Sequence, residues 1–310
     1  MTDTARFAFA PADTAARPLH VLRPEDLPAF REGPGAAWAG WLTATGFEAG
    51  LGDVRLVPGT DGAVVAAVAG LGTEQARRRS RFGLAKAVAA LPAGDWALTG
   101  DLSQADRVEA ALAWLLAGYR FDRYRPGRTP APAPRLVCPP GLDEARLLAM
   151  AEGEALTRDL INTPAQDMGP GELETALRAL GDGFGAEVRA VVGEDLLQQN
   201  FPMIHAVGRA SPRAPRLLDL RWGKAGPALT LVGKGVCFDT GGLNIKPSTG
   251  MSLMKKDMGG AATVMGLARM IMALNLPLRL RVLIPAVENV ISGNALKPKD
   301  ILTSRKGLTV

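Results

Sequence analysis

The spacing of apolar and polar residues changes several times along the chain, and each change marks an element. "DVRLVP" (53–58) and "GAVVAAVAG" (62–70) flank "GTDG", a turn signal, and read as paired strands. A helix is expected from about Glu74 to Leu91, then a short strand "DWALTG" (95–100). In "SQADRVEAALAWLLAGYRF" (103–121) the apolar Val108, Ala111, Leu112, Leu115 and Leu116 recur at helical spacing, so an amphipathic helix is expected there. Further on, "LDEARLLAMAEGEALTRDLINTP" (142–164) reads as a long helix stopped at Asn162-Thr163-Pro164. "GPGELETALRAL" (169–180) is a second helix, with acidic residues in its first turn that suit the helix dipole. A strand (186–193), a short helix (194–201), a strand through "RLLDLRW", "ALTLVGKG" (228–235), a glycine-started helix (259–275) and a buried strand (278–289) complete the pattern.

Between these two series lies "RYRPGRTPAPAPRLVCPPG" (123–141), whose six prolines deny helix and favour extended chain. It reads as an interdomain linker and sets the expected domains at 1–135 and 136–310. The fold class is α/β: a small N-terminal α/β domain, then a larger C-terminal α/β/α domain with a mixed sheet covered on both faces. The first domain gathers no cluster of chemical residues, and His20, its only histidine, is expected to be packing or surface.

Composition adds bounds. The 310 residues are 47% apolar, enough for a sizeable core, and no apolar run approaches the roughly 18 residues of a membrane span. The start of the chain lacks the pattern of a secretory signal, and the two cysteines, Cys138 and Cys237, lie far apart in apolar surroundings. Both features suggest a cytoplasmic protein without a disulfide framework. The net charge of +5 raises the question of a polyanionic partner. The densest basic run, "ARRRSRFGLAK" (76–86), reads as the solvated side of a helix rather than a nucleic-acid patch.

The chemistry concentrates in "GKGVCFDTGGLNIKP" (233–247). A phosphate-binding loop would need a hydroxyl residue after Gly233-Lys234 and a glycine five positions before Gly233; Gly235 follows and Gly226 is the nearest upstream glycine. A metal reading fits better. Asp239 comes at the carboxyl end of an apolar strand, where α/β sheets gather ligands, and Asp257 stands just before the glycine-started helix. Divalent ions favour such carboxylates, and the absence of HExxH and CxxC excludes the zincin and zinc-finger spacings. Lys234 and Lys246 could act as a neutral nitrogen ligand or as a charged group that polarises a carbonyl. Ordinary solvated loop residues are the competing reading of these four side chains.

"LVGKGVCFDTGGLNIKPSTGMSLMKKDMGGAATVMG" (231–266) closely resembles the core of the leucine aminopeptidase (cytosol aminopeptidase) family. "TRDLINTPAQDMGP" (157–170), "VENVISGNALKPKDILTSRKGLTV" (287–310) and, before the linker, "AGYRFDRYR" (117–125) resemble further segments of it. The resemblance implies a metallo-aminopeptidase catalytic domain that releases the N-terminal residue of peptides with two divalent metal ions, manganese or zinc, with magnesium a third choice. It implies that Asp239 bridges both ions, that Lys234 and Asp257 hold one of them, and that Lys246 polarises the scissile carbonyl. Met254 would line the pocket for the N-terminal side chain; core packing is its other reading. A homo-hexamer is implied for the full-length protein.

The family completes its metal site with Asn-Thr-Asp-Ala-Glu-Gly-Arg, whose arginine holds a bicarbonate. This chain has no such run, and after Asp257 its only acidic residues are Glu288 and Asp300. The expectation is an incomplete catalytic domain, a truncated and weakly active or inactive form, with bicarbonate bound only in the full-length protein. A non-catalytic family member with an assembly or DNA-binding role is the alternative. The 310-residue chain is therefore expected to release little or no p-nitroaniline from leucine p-nitroanilide, and robust metal-dependent cleavage by the purified chain would contradict this.

Overall fold

The computed structural model describes residues 7–125, 132–292, 295–304 and 306–310. The chain forms two compact units. The first runs to Arg120 and is completed by a stretch ending at Ala151; the second takes up Phe121 and runs from Glu152 to Val310. Among the described residues no helix is long and apolar enough to cross a membrane.

The first unit is built around β1 (Arg17–Leu22), followed by α1 (Leu27–Glu32) and α2 (Ala39–Ala44). The chain continues through β2 (Val54–Pro58), β3 (Val64–Gly70), α3 (Glu74–Arg79), α4 (Leu84–Ala90), β4 (Gly94–Thr99), α5 (Gln104–Ala117) and β5 (Pro134–Leu136). The sheet order is β2-β3-β1-β4-β5; β2 and β3 form the expected antiparallel pair, and the other neighbours are parallel. Three expectations need correcting. Residues before Asp53 carried no predicted element, yet β1 is the middle strand: Leu19, Val21 and Leu22 are buried, while Arg17 and His20 interrupt the apolar run in sequence. The single helix expected over 74–91 is two, because Ser80 is extended and Phe82 takes a positive φ of 58°. The Phe82 N–H is held there by Glu109 Oε1 at 2.9 Å. The proline-rich stretch contributes β5, whose Leu136 is buried; residues 126–131 of it lie outside the described residues. His20 packs against Phe30 and Trp38 with ring centroids 5.0 and 5.5 Å away, and burial lowers its pKa.

A long helix, α6 (Glu144–Asn162), stops before Pro164, which has no N–H to continue it. The second unit then runs through α7 (Pro170–Phe184), β6 (Glu187–Val192), α8 (Asp195–Gln198), α9 (Pro202–Gly208) and β7 (Arg216–Trp222). β8 (Ala228–Val232), β9 (Gly235–Asp239), α10 (Ser248–Met251), α11 (Gly259–Ala273) and β10 (Arg279–Asn289) follow. β10 is the organising strand: β7 lies antiparallel along one side, while β8 and β9 lie parallel, one after the other, along the opposite side. β6 pairs antiparallel with β7, so the sheet is mixed.

Alternation along β10 separates its faces. Leu280, Val282, Ile284 and Ala286 join a core with Leu173 and Leu177 of α7 and Ala261 and Met265 of α11. Val287 points the other way, to where Gly208 ends α9 so closely that an added Cβ would stand 3.2 Å from it. Helices thus cover both faces. α6 and α11 meet through glycines: a Cβ on Gly266 would lie 2.2 Å from Thr157 Oγ1, which itself donates to Ala262 O at 3.2 Å.

Across this sheet Asp219 on β7 accepts from Arg281 Nε and Nη2 on β10 at 3.0 and 2.8 Å, and from Arg221 at 3.2 Å. Burial pushes the Asp219 carboxyl up, but the two guanidinium groups outweigh it and hold the pKa below its ordinary 3.8. A depressed pKa stabilises the fold above the ordinary value, and the contribution is lost as pH falls through the folded-state value. Asp219→Asn is expected to cost about 1 kcal/mol at pH 7, discounted for solvent screening because the Arg281 side chain is 42% exposed. Urea unfolding should show this gap at neutral pH and its closure in acid.

Candidate metal centre

The site begins with strand register. β8 and β9 lie on β10 at one offset: Val232 is opposite Leu283 and Gly235 opposite Ala286. Gly233 and Lys234 fill the step between them, and Gly233 N still donates to Leu283 O at 3.0 Å. The strand expected over 228–235 and on into "VCF" is therefore two strands with a two-residue interruption at Lys234. The offset then changes by one, since Val236 faces Val287 but Phe238 faces Glu288, which leaves Cys237 as an extra residue. In an unbroken strand, residues 234 and 239 would project to opposite faces. The interruption at Lys234 and the extra residue at Cys237 both break that simple alternation.

The chain turns sharply after Asp239. Thr240 N and Oγ1 both donate to Asn289 O, at 2.9 and 3.0 Å, and Lys246 N donates back to Thr240 O at 2.9 Å. Gly241 makes this loop possible, with φ at 92° and no room for a side chain: an added Cβ would be 2.2 Å from Asn244 O. The loop delivers Lys246 Nζ to Asp239 Oδ2 in a close ion pair. The other oxygen, Oδ1, accepts from Gly241 N at 2.9 Å and Asn289 Nδ2 at 2.8 Å. Burial raises the Asp239 pKa, but the bonds from Lys246, Gly241 and Asn289 prevail and hold it below the usual carboxylate value.

The second carboxylate arrives from the helical side. A single turn, Met254–Lys256, packs against β9 and leads into Asp257, whose Oδ2 lies 2.6 Å from Lys234 Nζ. That oxygen is buried, and among the described residues it accepts no hydrogen bond and has the Lys234 ion pair as its close polar contact. α11 starts directly afterwards against the Lys234 backbone, with Ala261 N donating to Lys234 O at 2.9 Å. Only glycine fits there: a Cβ on Gly233 would stand 2.7 Å from Ala261 Cα, and one on Gly260 2.9 Å from Lys234 N.

The four charged residues expected at the site thus form two lysine–aspartate pairs, Lys246–Asp239 and Lys234–Asp257. Met254 packs partly buried, with Met251, against Ala165, Phe238 and Val290. The two remaining acids are engaged elsewhere. Glu288, fully buried, accepts from Ser211 Oγ at 2.9 Å and Arg213 Nη1 at 3.3 Å; Asp300 accepts from Gln166 N and Lys297 N, both at 3.0 Å. Two partners went unforeseen in the sequence. Asn289, a polar residue closing the apolar run of β10, was marked only by its position. Lys255 donates to Ile161 O and Asn162 O at 2.8 Å each, and burial lowers its pKa.

No group of three or more histidine, cysteine, aspartate or glutamate side chains able to hold a metal occurs among the described residues. A metal here would need a lysine nitrogen beside the two carboxylates. Such a set suits a divalent ion of hard to borderline character, and the buried Asp257 oxygen, with the Lys234 ammonium beside it and no hydrogen bond among the described residues, fits such an ion. In the first unit, a cavity of about 130 Å³ is lined by Arg77, Asp106 and Glu109 among apolar residues. Its acids are already paired, Asp106 with Arg23 and Glu109 with Arg81. In the basic run beside it, Arg77 donates to Gly72 O and Arg78 pairs with Glu74.

Residues 155–310 match the catalytic domain of the cytosol aminopeptidase family, and residues 17–139 match the M17 aminopeptidase N-terminal domain. A probable cytosol aminopeptidase of Rhodococcus jostii is 33% identical over 288 residues, which cover 87% of this chain and 57% of that protein. The crystal structure of a cytosol aminopeptidase from Coxiella burnetii superposes with a TM-score of 0.81 at 39% identity, over 97% of this chain and 65% of that one. The bottromycin maturation enzyme BotP in complex with Mn gives 0.76 at 32% identity, over 96% and 64%. The matches cover between 37% and 64% of the length of the curated relatives.

Gly241→Ala is expected to destabilise the second unit by about 1–3 kcal/mol, since a positive φ and a backbone clash coincide. Its urea midpoint should fall, and the Lys246 amide, bonded across the loop to Thr240 O, should lose protection from hydrogen exchange. Wild-type protection of that amide in the variant would contradict the strained-loop account.

Proposed function

The chain belongs to the cytosol aminopeptidase family, and we propose that it carries the metal-binding part of a two-metal aminopeptidase that removes the N-terminal residue from peptides. The observation that supports this most directly is the pair of lysine–aspartate contacts, Lys234–Asp257 at the interruption between β8 and β9 and Lys246–Asp239 at the end of β9. Lys234, Asp239 and Asp257 would hold the metal, with Asp239 bridging two ions. When bound, a divalent ion supplies Lewis-acid polarisation of a carbonyl and of water. Manganese is favoured by the Mn complex of BotP, with zinc and magnesium as the other candidates.

The chain's own residues divide the remaining work. Lys246, carried on a loop anchored at both ends, would present its ammonium to the scissile carbonyl and stabilise the negative charge that develops on its oxygen. Gly241 and Asn289 hold Asp239 through Oδ1, which fixes the carboxylate plane. Met254, beside Met251, would form the apolar wall against the N-terminal side chain of the peptide. The unpaired thiols of Cys138 and Cys237 suit a reducing cytoplasm, and a homo-hexamer is proposed for the full-length protein.

Calorimetric titration with Mn²⁺ tests this reading. Asp239→Asn and Asp257→Asn should weaken binding by more than the roughly ten-fold that loss of an outer partner costs. Lys234→Met should weaken it as well. Lys246→Met should preserve it or tighten it, because that variant removes a cation that occupies Asp239. Equal affinities in wild type and both aspartate variants would overturn the assignment.

A further inference from the structure

The turn at Met254–Lys256 carries two proposed functional groups, Met254 within it and Asp257 directly after it. A single turn of this kind does not hold its own position. Its internal bonds are two, Lys256 N to Leu253 O at 3.0 Å and Asp257 N to Met254 O at 3.1 Å. Lys255, whose side chain leaves the turn between them, reaches the end of α6 and donates to Ile161 O and Asn162 O at 2.8 Å each.

Those carbonyls belong to the last turn of a 19-residue helix that stops before Pro164, so they have lost their intrahelical donors and carry the negative end of the helix dipole. α6 is in turn fixed against α11 by the Gly266–Thr157 contact and the Thr157 bond to Ala262 O. The geometry therefore closes a ring: α11 is packed on α6, and the segment that enters α11 is tied back to the end of α6 by one side chain.

We propose that Lys255 is the positioning residue of this centre: by bonding the two terminal carbonyls of α6, it fixes where Asp257 faces Lys234 and where Met254 meets Phe238. The same bonds keep the Lys255 ammonium occupied at the helix end, so that it does not compete for the carboxylate two residues away. The consequence for metal rests on the reading of Asp257 as a ligand; the consequence for the turn does not.

Two measurements on the 310-residue chain separate these. In Lys255→Met, which keeps an unbranched stem of similar length, hydrogen exchange of the Lys256 and Asp257 amides should accelerate about ten-fold or more. Amides of β7, in the same unit, should keep wild-type rates. Mn²⁺ affinity by equilibrium dialysis should fall about ten-fold. Lys255→Arg, which can still bond the carbonyls, should recover most of both. Wild-type exchange at residues 256–257 and wild-type Mn²⁺ affinity in Lys255→Met would overturn the proposal. Loss of the β7 protection as well would mean a general packing role and overturn it too. Failure of the wild-type chain to bind Mn²⁺ would count against the metal reading, while exchange at residues 256–257 would still decide the role of Lys255.

Discussion

The centre depends on one irregularity in one strand pair. β10 is eleven residues long and holds β8 along its first half and β9 along its second, in a register that slips by one residue at Cys237. The slip costs a ladder position, but it aligns Asp239 with Asn289, whose amide then reaches it at 2.8 Å. Without it Asp239 would stand opposite Val290 and lose its alignment with the Asn289 amide. Cys237 itself is wholly buried, as is Phe238 beside it, which anchors the bulge from within the core.

Around that strand, close approach is obtained from small residues and orientation from polar ones. Gly233 and Gly260 let the first turn of α11 touch the backbone at Lys234, so Asp257, just ahead of that turn, can stand within 2.6 Å of the lysine. Gly241 lets the following loop fold back tightly enough for Lys246 to reach Asp239. Asn289 and Lys255 then remove freedom, one at the carboxylate and one at the turn. Asn289 shares a carboxylate oxygen with the Gly241 N–H, and Lys255 bonds two helix-end carbonyls.

Much of this was legible in the sequence because the charged residues fall in one stretch of 24 residues, from Lys234 to Asp257, with glycines and an apolar helix at fixed distances. Composition and periodicity carried the two-part α/β organisation for a similar reason: most elements are long runs with clear turn signals between them. What was hidden depends on partners distant in sequence. β1 is six residues with Arg17 and His20 interrupting it, and only its pairing with β3 and β4 makes it a strand. β5 exists because three residues of a proline-rich stretch find β4. The bulge at Cys237 is a property of register, not of residue type, and Lys255 differs from a solvated lysine only by what lies 94 residues upstream.

The pairing of each carboxylate with a lysine also has an electrostatic logic. A half-buried carboxylate resists ionisation unless a cation or hydrogen-bond donors stand beside it. Here Lys246 and Lys234 supply that charge from the same backbone segments that carry or adjoin the carboxylates, so the centre is balanced as the chain folds. The balance is unequal in a useful way. Asp239 has Lys246, Gly241 and Asn289 around it, whereas among the described residues Asp257 Oδ2 has Lys234 alone, whose side chain is 57% exposed. Under the proposed function, Asp257 is thus the carboxylate whose partner is released at the lower cost. Asp239 keeps its orientation through Asn289 and Gly241 even after Lys246 turns away toward a substrate carbonyl.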